Sequence, residues 1–270
     1  MKYLLVLSFI ACFFVGTAQE KADVKPGKYI EAQNYGGKKE FKRFLQNELN
    51  YPKDALVHKV EGTVEVAGIV DHKTKIVTQI HVKNSVSKAL DEEALRLYKM
   101  LLIEPTFYKG DDVVEYSTLK FKFSTKNYKR SVKKRGYENA LDKYGNVLDT
   151  FKVFEDNQVK VKPKVVFENK LETMSSFIQK NLKYPQGTLT LNITGTVKLL
   201  FVVEPSGRVT NIKVQKPVGG GATEEAIRLL CLTNWKAGEI DGKSVRVNKV
   251  FEVDFNLSSE SGMQVAPNSY

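Results

Sequence analysis

Cysteine is almost missing from this 270-residue chain, which carries only Cys12 and Cys231. Cys12 lies inside an N-terminal apolar stretch, so loss of that stretch as a leader leaves one thiol and no internal disulfide. Stability must then come from hydrophobic cores. Cys231, within Ala226-Ile227-Arg228-Leu229-Leu230-Cys231-Leu232, reads as a small buried apolar residue on a helix rather than a nucleophile. Histidine is equally scarce. His58 falls in a loop, His72 in a turn and His81 on a strand, and none stands at metal-ligand spacing from another His or Cys. No Ser-His-Asp or Cys-His constellation can be assembled. Gly219-Gly220-Gly221 precedes a helix but lacks a following Gly-Lys-Ser/Thr, so it is no phosphate loop and reads as a flexible connection. These absences predict a protein that is not an enzyme, with no metal site and no cofactor. The eight prolines do not cluster, which excludes a long proline-rich spacer.

Long hydrophobic runs are also lacking, with one exception. Tyr3 to Gly16 is an apolar run of 14 residues behind the basic Met1-Lys2, and Gly16-Thr17-Ala18 supplies small residues for a signal peptidase. Residues 1–18 therefore read as a signal peptide cleaved before Gln19, which predicts an exported, periplasmic protein. Two other readings stay open. An uncleaved inner-membrane anchor is disfavoured because 14 residues reach only about 21 Å as a helix against roughly 30 Å of hydrocarbon. A lipoprotein signal at Cys12 is disfavoured by the poor Phe9-Ile10-Ala11 preceding it.

Lysine and arginine outnumber acidic residues 42 to 31, for a net charge of +11. Such an excess suits an anionic surface. Export argues against nucleic acid and leaves anionic envelope polymers or lipid head groups, or simple solubility. The acidic groups that open two helices, Asp91-Glu92-Glu93 and Glu224-Glu225, read as favourable charges at the positive end of the helix dipole.

What the chain does contain is an internal repeat. Phe44-Leu45-Gln46-Asn47-Glu48-Leu49-Asn50-Tyr51-Pro52 matches Phe177-Ile178-Gln179-Lys180-Asn181-Leu182-Lys183-Tyr184-Pro185 at an offset of 133, as Gly62-Thr63-Val64 matches Gly195-Thr196-Val197. Past a hairpin turn one residue shorter in the second copy, the offset becomes 132. Glu92-Glu93-Ala94 then matches Glu224-Glu225-Ala226, and Gly110, Val113 and Phe123 match Gly242, Val245 and Phe255. A period this long means two domains rather than a solenoid.

Each repeat reads as helix, strand, strand, helix, strand. Phe41, Phe44, Leu45 and Leu49 form a helical stripe, as do Leu171, Met174, Phe177, Ile178 and Leu182, and Tyr-Pro stops both. Val64, Val66, Gly68 and Val70 share one strand face, as do Val197, Leu199, Phe201 and Val203, and Glu204-Pro205-Ser206-Gly207 is a turn. One-sided alternation implies an antiparallel sheet with one packed face. The fold class expected is α+β: two tandem two-layer modules, each a three-stranded antiparallel sheet packed by two helices. The modules are expected over 35–124 and 167–257, with a basic linker over 125–166 containing one hairpin and a disordered tail over 258–270. The basic run Lys126 to Arg135, with Tyr128 and Tyr137, reads as solvated linker, with binding of an acidic polymer as the alternative.

The ordered set Tyr51-Pro52, Gly62, Ala94 and Gly110, then Tyr184-Pro185, Gly195, Ala226, Trp235, Gly238 and Phe255, resembles the TonB C-terminal domain twice over. The first copy departs by placing Ile103 where the family often has tryptophan. The resemblance implies contact with other cell-envelope proteins, outer-membrane transporters among them, through a peptide added to an exposed sheet edge. The final strands are the candidate edges, with Val113, Tyr116, Leu119 and Phe121 in the first module. Val245, Val247, Phe251 and Val253 are their counterparts in the second. The leading expectation is a non-enzymatic envelope adaptor. Alternatives are a TonB-type energy transducer held by an uncleaved anchor, a cell-wall-associated scaffold and, from another class, an envelope enzyme.

Overall fold

The structure, a computed structural model, describes residues 32–71, 76–105, 115–143, 146–148 and 150–256. Val113, Gly110 and His72, the signal peptide over 1–18 and the tail over 258–270 lie outside them.

The first module runs β1 (Gln33–Asn34), α1 (Gly37–Glu48), α2 (Lys53–Val57), β2 (Gly62–Val70), β3 (Val77–Asn84), α3 (Lys88–Met100), β4 (Ile103–Glu104) and β5 (Glu115–Phe123). Next come α4 (Thr125–Arg135), β6 (Val153–Phe154) and β7 (Lys164–Val166). The second module follows with α5 (Met174–Asn181), α6 (Gln186–Thr190), β8 (Gly195–Val203), β9 (Val209–Lys216), α7 (Ala222–Leu230), β10 (Asn234–Lys236), β11 (Gly238–Ile240) and β12 (Lys243–Phe255).

The tandem α+β architecture is present, but the expected pair of plain three-stranded modules is not. In the first module the sheet is three-stranded and antiparallel, in the order β3-β2-β5. In the second, β11 and the parallel strand β6 join β12, giving five strands and a mixed sheet. Each module also has a small ribbon, β1 with β4 and β7 with β10. Such two- and three-residue strands leave no alternation to read in a sequence. Short helices α2 and α6 follow the Tyr-Pro pairs, with Pro52 and Pro185 capping them, where a missing N–H costs nothing.

The repeat persists in backbone detail. Both hairpins slip register at the same two points, and non-glycine residues with positive φ recur in register: Lys59 with Asn192, and Gln79 with Asn211. A Cβ on Gly62 would come within 2.7 Å of Val86, and one on Gly195 within 3.2 Å of Val218, so the repeated glycine seats the repeated valine. Core volume is traded between copies. Gly68 leaves room for the buried Tyr98, whereas Phe201 occupies the glycine's place and Leu230 stands where Tyr98 would. Ile103 and Trp235 both reach their cores.

Three other expectations fail. Leu171 is 89% exposed, because α5 begins at Met174 and leaves it ahead of the helix. Cys231 is exposed, because it caps the end of α7 rather than lying on its inner face. The triple glycine is not loose throughout: a Cβ on Gly220 would lie 2.6 Å from the Thr188 N–H nitrogen.

The modules do not hang apart on their linker. Glu48, fully buried at the end of α1, takes two hydrogen bonds from Arg208 of the second module at 2.6 and 2.8 Å. The Asn211 side-chain amide donates to the Met100 carbonyl at 3.0 Å, and its oxygen accepts from the Leu102 N–H at 2.8 Å. Arg246, ion-paired to the buried Glu204, also donates to the Met100 carbonyl at 2.6 Å. Arg43 donates to the Val209 carbonyl at 3.0 Å. The positive φ of Asn211 aims its amide at the first module, while its counterpart Gln79 stays exposed. The same bulge thus serves as an interface in one copy and faces solvent in the other.

Candidate functional site

A strand at the border of a sheet presents N–H and C=O groups that another chain can pair. Among the described residues, β5 pairs with β2 alone, so its far edge is open along Glu115–Phe123. Its counterpart β12 differs. Residues from the connecting segment lie along its outer edge: Val147 bridges Ser244, the Leu148 N–H donates to the Ser244 carbonyl at 3.1 Å, and β6 pairs with Arg246 and Val247. Asn248 and Lys249 extend the contact to Glu155 and Asp156. The chain has added strands of its own to part of the second module's edge.

The structure places the sequence-predicted residues on these two strands but gives them different roles. Tyr116 is exposed and Leu119 half-buried. Phe121, Val245, Val247, Phe251 and Val253 are buried, facing inward with the cores. They build the sheet that holds the edge, so their side chains are not offered to a partner. The family-motif residues are structural. The Tyr51 hydroxyl donates to the Val60 carbonyl at 2.6 Å, and its ring meets Phe123 edge-on, as Tyr184 meets Phe255. Trp235 donates to the Thr233 hydroxyl at 2.7 Å and packs on Phe201.

What the sequence reading missed is α4, taken there as solvated linker. Ser124 and Gly136 bound it, the latter in the left-handed conformation that suits glycine after a helix. Its N-terminus is held from across the module: Glu61 accepts from the Thr125 N–H at 2.7 Å and from its hydroxyl at 2.6 Å. Those bonds hold the Glu61 carboxyl below the usual range. The Tyr128 ring packs on Tyr51 at 5.4 Å and its hydroxyl donates to the Glu138 carbonyl. Arg135 donates to the Gln46, Asn47 and Leu49 carbonyls, placing a cation at the negative end of α1. The signal for this helix was Tyr128 and Val132 at i and i+4 within the basic run, both packed against the first core.

With α4 fixed, a groove of about 560 Å³ forms between α1, α4 and the outer side of β5. Phe41, Leu45, Leu49 and Tyr128 supply its apolar surface. Phe41 and Leu45 belong to the predicted helical stripe but are only half-buried, since they turn toward the groove while Phe44 fills the core. The charged lining is Lys42, Lys120, Lys122, Arg130 and Lys134, with no carboxylate among the lining residues. Lys120 pairs with Glu65 at 2.8 Å, and that hydrogen bond holds the Glu65 carboxyl below its ordinary value. Lys42, Arg130 and Lys134 form no ion pair among the described residues.

A second motif was read only in part. Glu93 and Glu225, placed at first as dipole charges, are clamps. Glu93 accepts from the Asn50 N–H at 2.7 Å and binds Arg96, which donates to the Glu48 carbonyl. Glu225 accepts from the Lys183 N–H at 2.6 Å and binds Arg228, which donates to the Asn181 carbonyl. Both clamps fasten the chain just ahead of Tyr-Pro. The repeated Glu-x-x-Arg spacing was the available signal.

No group of three or more His, Cys, Asp and Glu that could hold a metal occurs among the described residues. His58 and His81 are exposed, each bonded to a nearby carbonyl. No helix among these residues is long and apolar enough to cross a membrane.

Each of the two α+β modules thus brings its final strand to the border of a sheet, and the first sets a groove beside it. The family model for the Gram-negative bacterial TonB protein C-terminal domain matches residues 47–125 and again 180–257, more than half of the chain. The chain belongs to the TonB C-terminal family, as a tandem pair. That family is one of non-catalytic adaptor domains of the cell envelope, so this chain is an interaction protein and not an enzyme. A comparison with curated proteins gives no match. The first matched region ends at the first residue of α4, so the rest of the helix that walls the groove lies outside the match.

Proposed function

We propose that this protein is a periplasmic adaptor that captures an extended segment of another envelope protein by strand addition at β5. The observation that carries the reading is the contrast between the two final strands: β12 has part of its outer edge filled from within the chain, whereas β5 keeps an open edge beside a groove. Main-chain pairing supplies affinity in such binding and side-chain pockets supply selectivity. TonB C-terminal domains mediate contact with outer-membrane receptor proteins, which makes periplasm-facing segments of such receptors the first partners to test. The second module acts as support, fixing α1 and the end of α3 in the first through Arg208, Asn211 and Arg246. On this reading the module boundaries 35–124 and 167–257 delimit a binding unit and a bracing unit.

The test is site-specific photo-crosslinking in the native host. A photoreactive residue replacing Lys122 on β5 or Arg130 on α4 is expected to trap one envelope protein. The same residue at Thr78 on the opposite sheet edge is expected to trap none. Equal crosslinking from Thr78, or none from Lys122 and Arg130, would contradict the reading.

A further inference from the structure

The nature of the captured segment can be argued from the groove itself. Side chains along β5 alternate: Leu119, Phe121 and Phe123 turn toward the helices, while Thr118, Lys120 and Lys122 face the open side. A strand laid against β5 inherits that alternation. Its helix-side residues would lie over Phe41 and Leu45, and its open-side residues beside Lys120 and Lys122. Opposite charges on neighbouring strands attract, and like charges repel. The helical walls add Lys42, Arg130 and Lys134, all exposed and unmatched by any lining carboxylate.

Length is constrained too. Leu119 to Phe123 spans about 17 Å at roughly 3.4 Å per residue, and the eleven residues of α4 span about 16 Å, so the walled part admits about five residues. An anionic polymer or lipid head group would use the cations but has no need of an apolar floor or an unpaired strand edge.

Resting on the strand-addition reading, we propose that the β5–α4 groove selects an extended protein segment of about five residues in which carboxylates alternate with apolar side chains. The basic helix α4 sets this preference, and it lies almost wholly beyond the region matched to the family.

The experiment is fluorescence anisotropy with the full chain and a labelled Gly-Glu-Val-Glu-Val-Glu-Val-Gly peptide. Two further peptides are compared, one with Lys replacing Glu and one N-methylated at alternate amides. Saturable binding is expected for the first peptide at low salt. It should weaken about tenfold in 0.5 M salt and about tenfold in Lys122→Glu/Arg130→Glu/Lys134→Glu, whose changed positions are all exposed. Unchanged circular dichroism would confirm that this variant folds. Binding of the lysine peptide as tight as the glutamate peptide would overturn the acidic preference and leave strand addition standing. Equal binding of the N-methylated peptide would overturn strand addition itself. Displacement of the peptide by phosphatidylglycerol vesicles or by polyglutamate at equal charge would show a site for anionic surfaces and overturn the proposal. So would the absence of saturable binding up to about 1 mM peptide.

Discussion

Replacing Arg208 with alanine removes the second-module cation that is ion-paired with Glu48, a fully buried carboxylate. Glu48 closes α1, so its charge also faces the negative end of the helix dipole. Breaking a buried pair by removing one partner costs about 3–5 kcal/mol, and the slight exposure of Arg208 argues for the lower end. A loss of about 3 kcal/mol at about 2 kcal/mol per M of urea lowers the unfolding midpoint by about 1.5 M. The assay is urea unfolding followed by two signals. Trp235, the single tryptophan, reports the second module, and far-ultraviolet circular dichroism reports both. In the unaltered chain the two curves should coincide, since the modules are braced together. In Arg208→Ala they should fall and separate. Glu48→Gln/Arg208→Met, which removes both charges, should cost less than Arg208→Ala alone. A shift for Arg208→Ala within about 0.5 kcal/mol of zero, the ordinary range for surface changes, would refute the idea that this pair docks the modules.

Three further outcomes are expected. Gly207→Ala should destabilise the second module by more than about 2 kcal/mol, because φ is +78° and a Cβ would lie 2.0 Å from the Trp235 carbonyl oxygen; tryptophan fluorescence and thermal melting check this. Burial works to raise the Glu225 carboxyl, but hydrogen bonds from Arg228 and the Lys183 N–H outweigh it and hold the pKa below the ordinary value. Its stabilisation is therefore complete above the ordinary glutamate range and lost as pH falls through the lowered folded value, so Glu225→Gln should flatten the acid limb of the pH–stability curve. Arg135→Ala should cost about 2 kcal/mol by releasing three carbonyls at the end of α1, and should weaken peptide capture by loosening α4, measured by melting and by anisotropy.

The repeat, the strands and the core were legible because they rest on periodicity. Val64, Val66, Val197 and Leu199 alternate, and the structure buries them all. The ribbons were not legible, since Gln33–Asn34 and Ile103–Glu104 are too short to carry a pattern. Nor was the filling of β12's edge, because β6 is two residues long and pairs across more than ninety positions. The site was half legible. Family resemblance pointed to both final strands, yet nothing local to Val113–Phe123 or Val245–Phe255 says which edge is partly covered. That depends on where the connecting segment folds. The groove was hidden for a related reason: eleven residues dominated by Lys and Arg show little apolar periodicity, and only Tyr128 and Val132 tie them to the core. The module interface was hidden because Asn211 and Arg246 look like ordinary surface residues until a second module is placed against them.

Amide hydrogen exchange of the full chain, alone and with a bound receptor segment or the glutamate–valine peptide, tests capture at β5 most directly. In the free protein, Ser244–Val247 should already be protected and the outward amides of Leu119–Phe123 should exchange. On binding, protection should rise along Leu119–Phe123 and leave β3 unchanged. Saturable binding with no new protection on β5, or with protection on β3 instead, would contradict it.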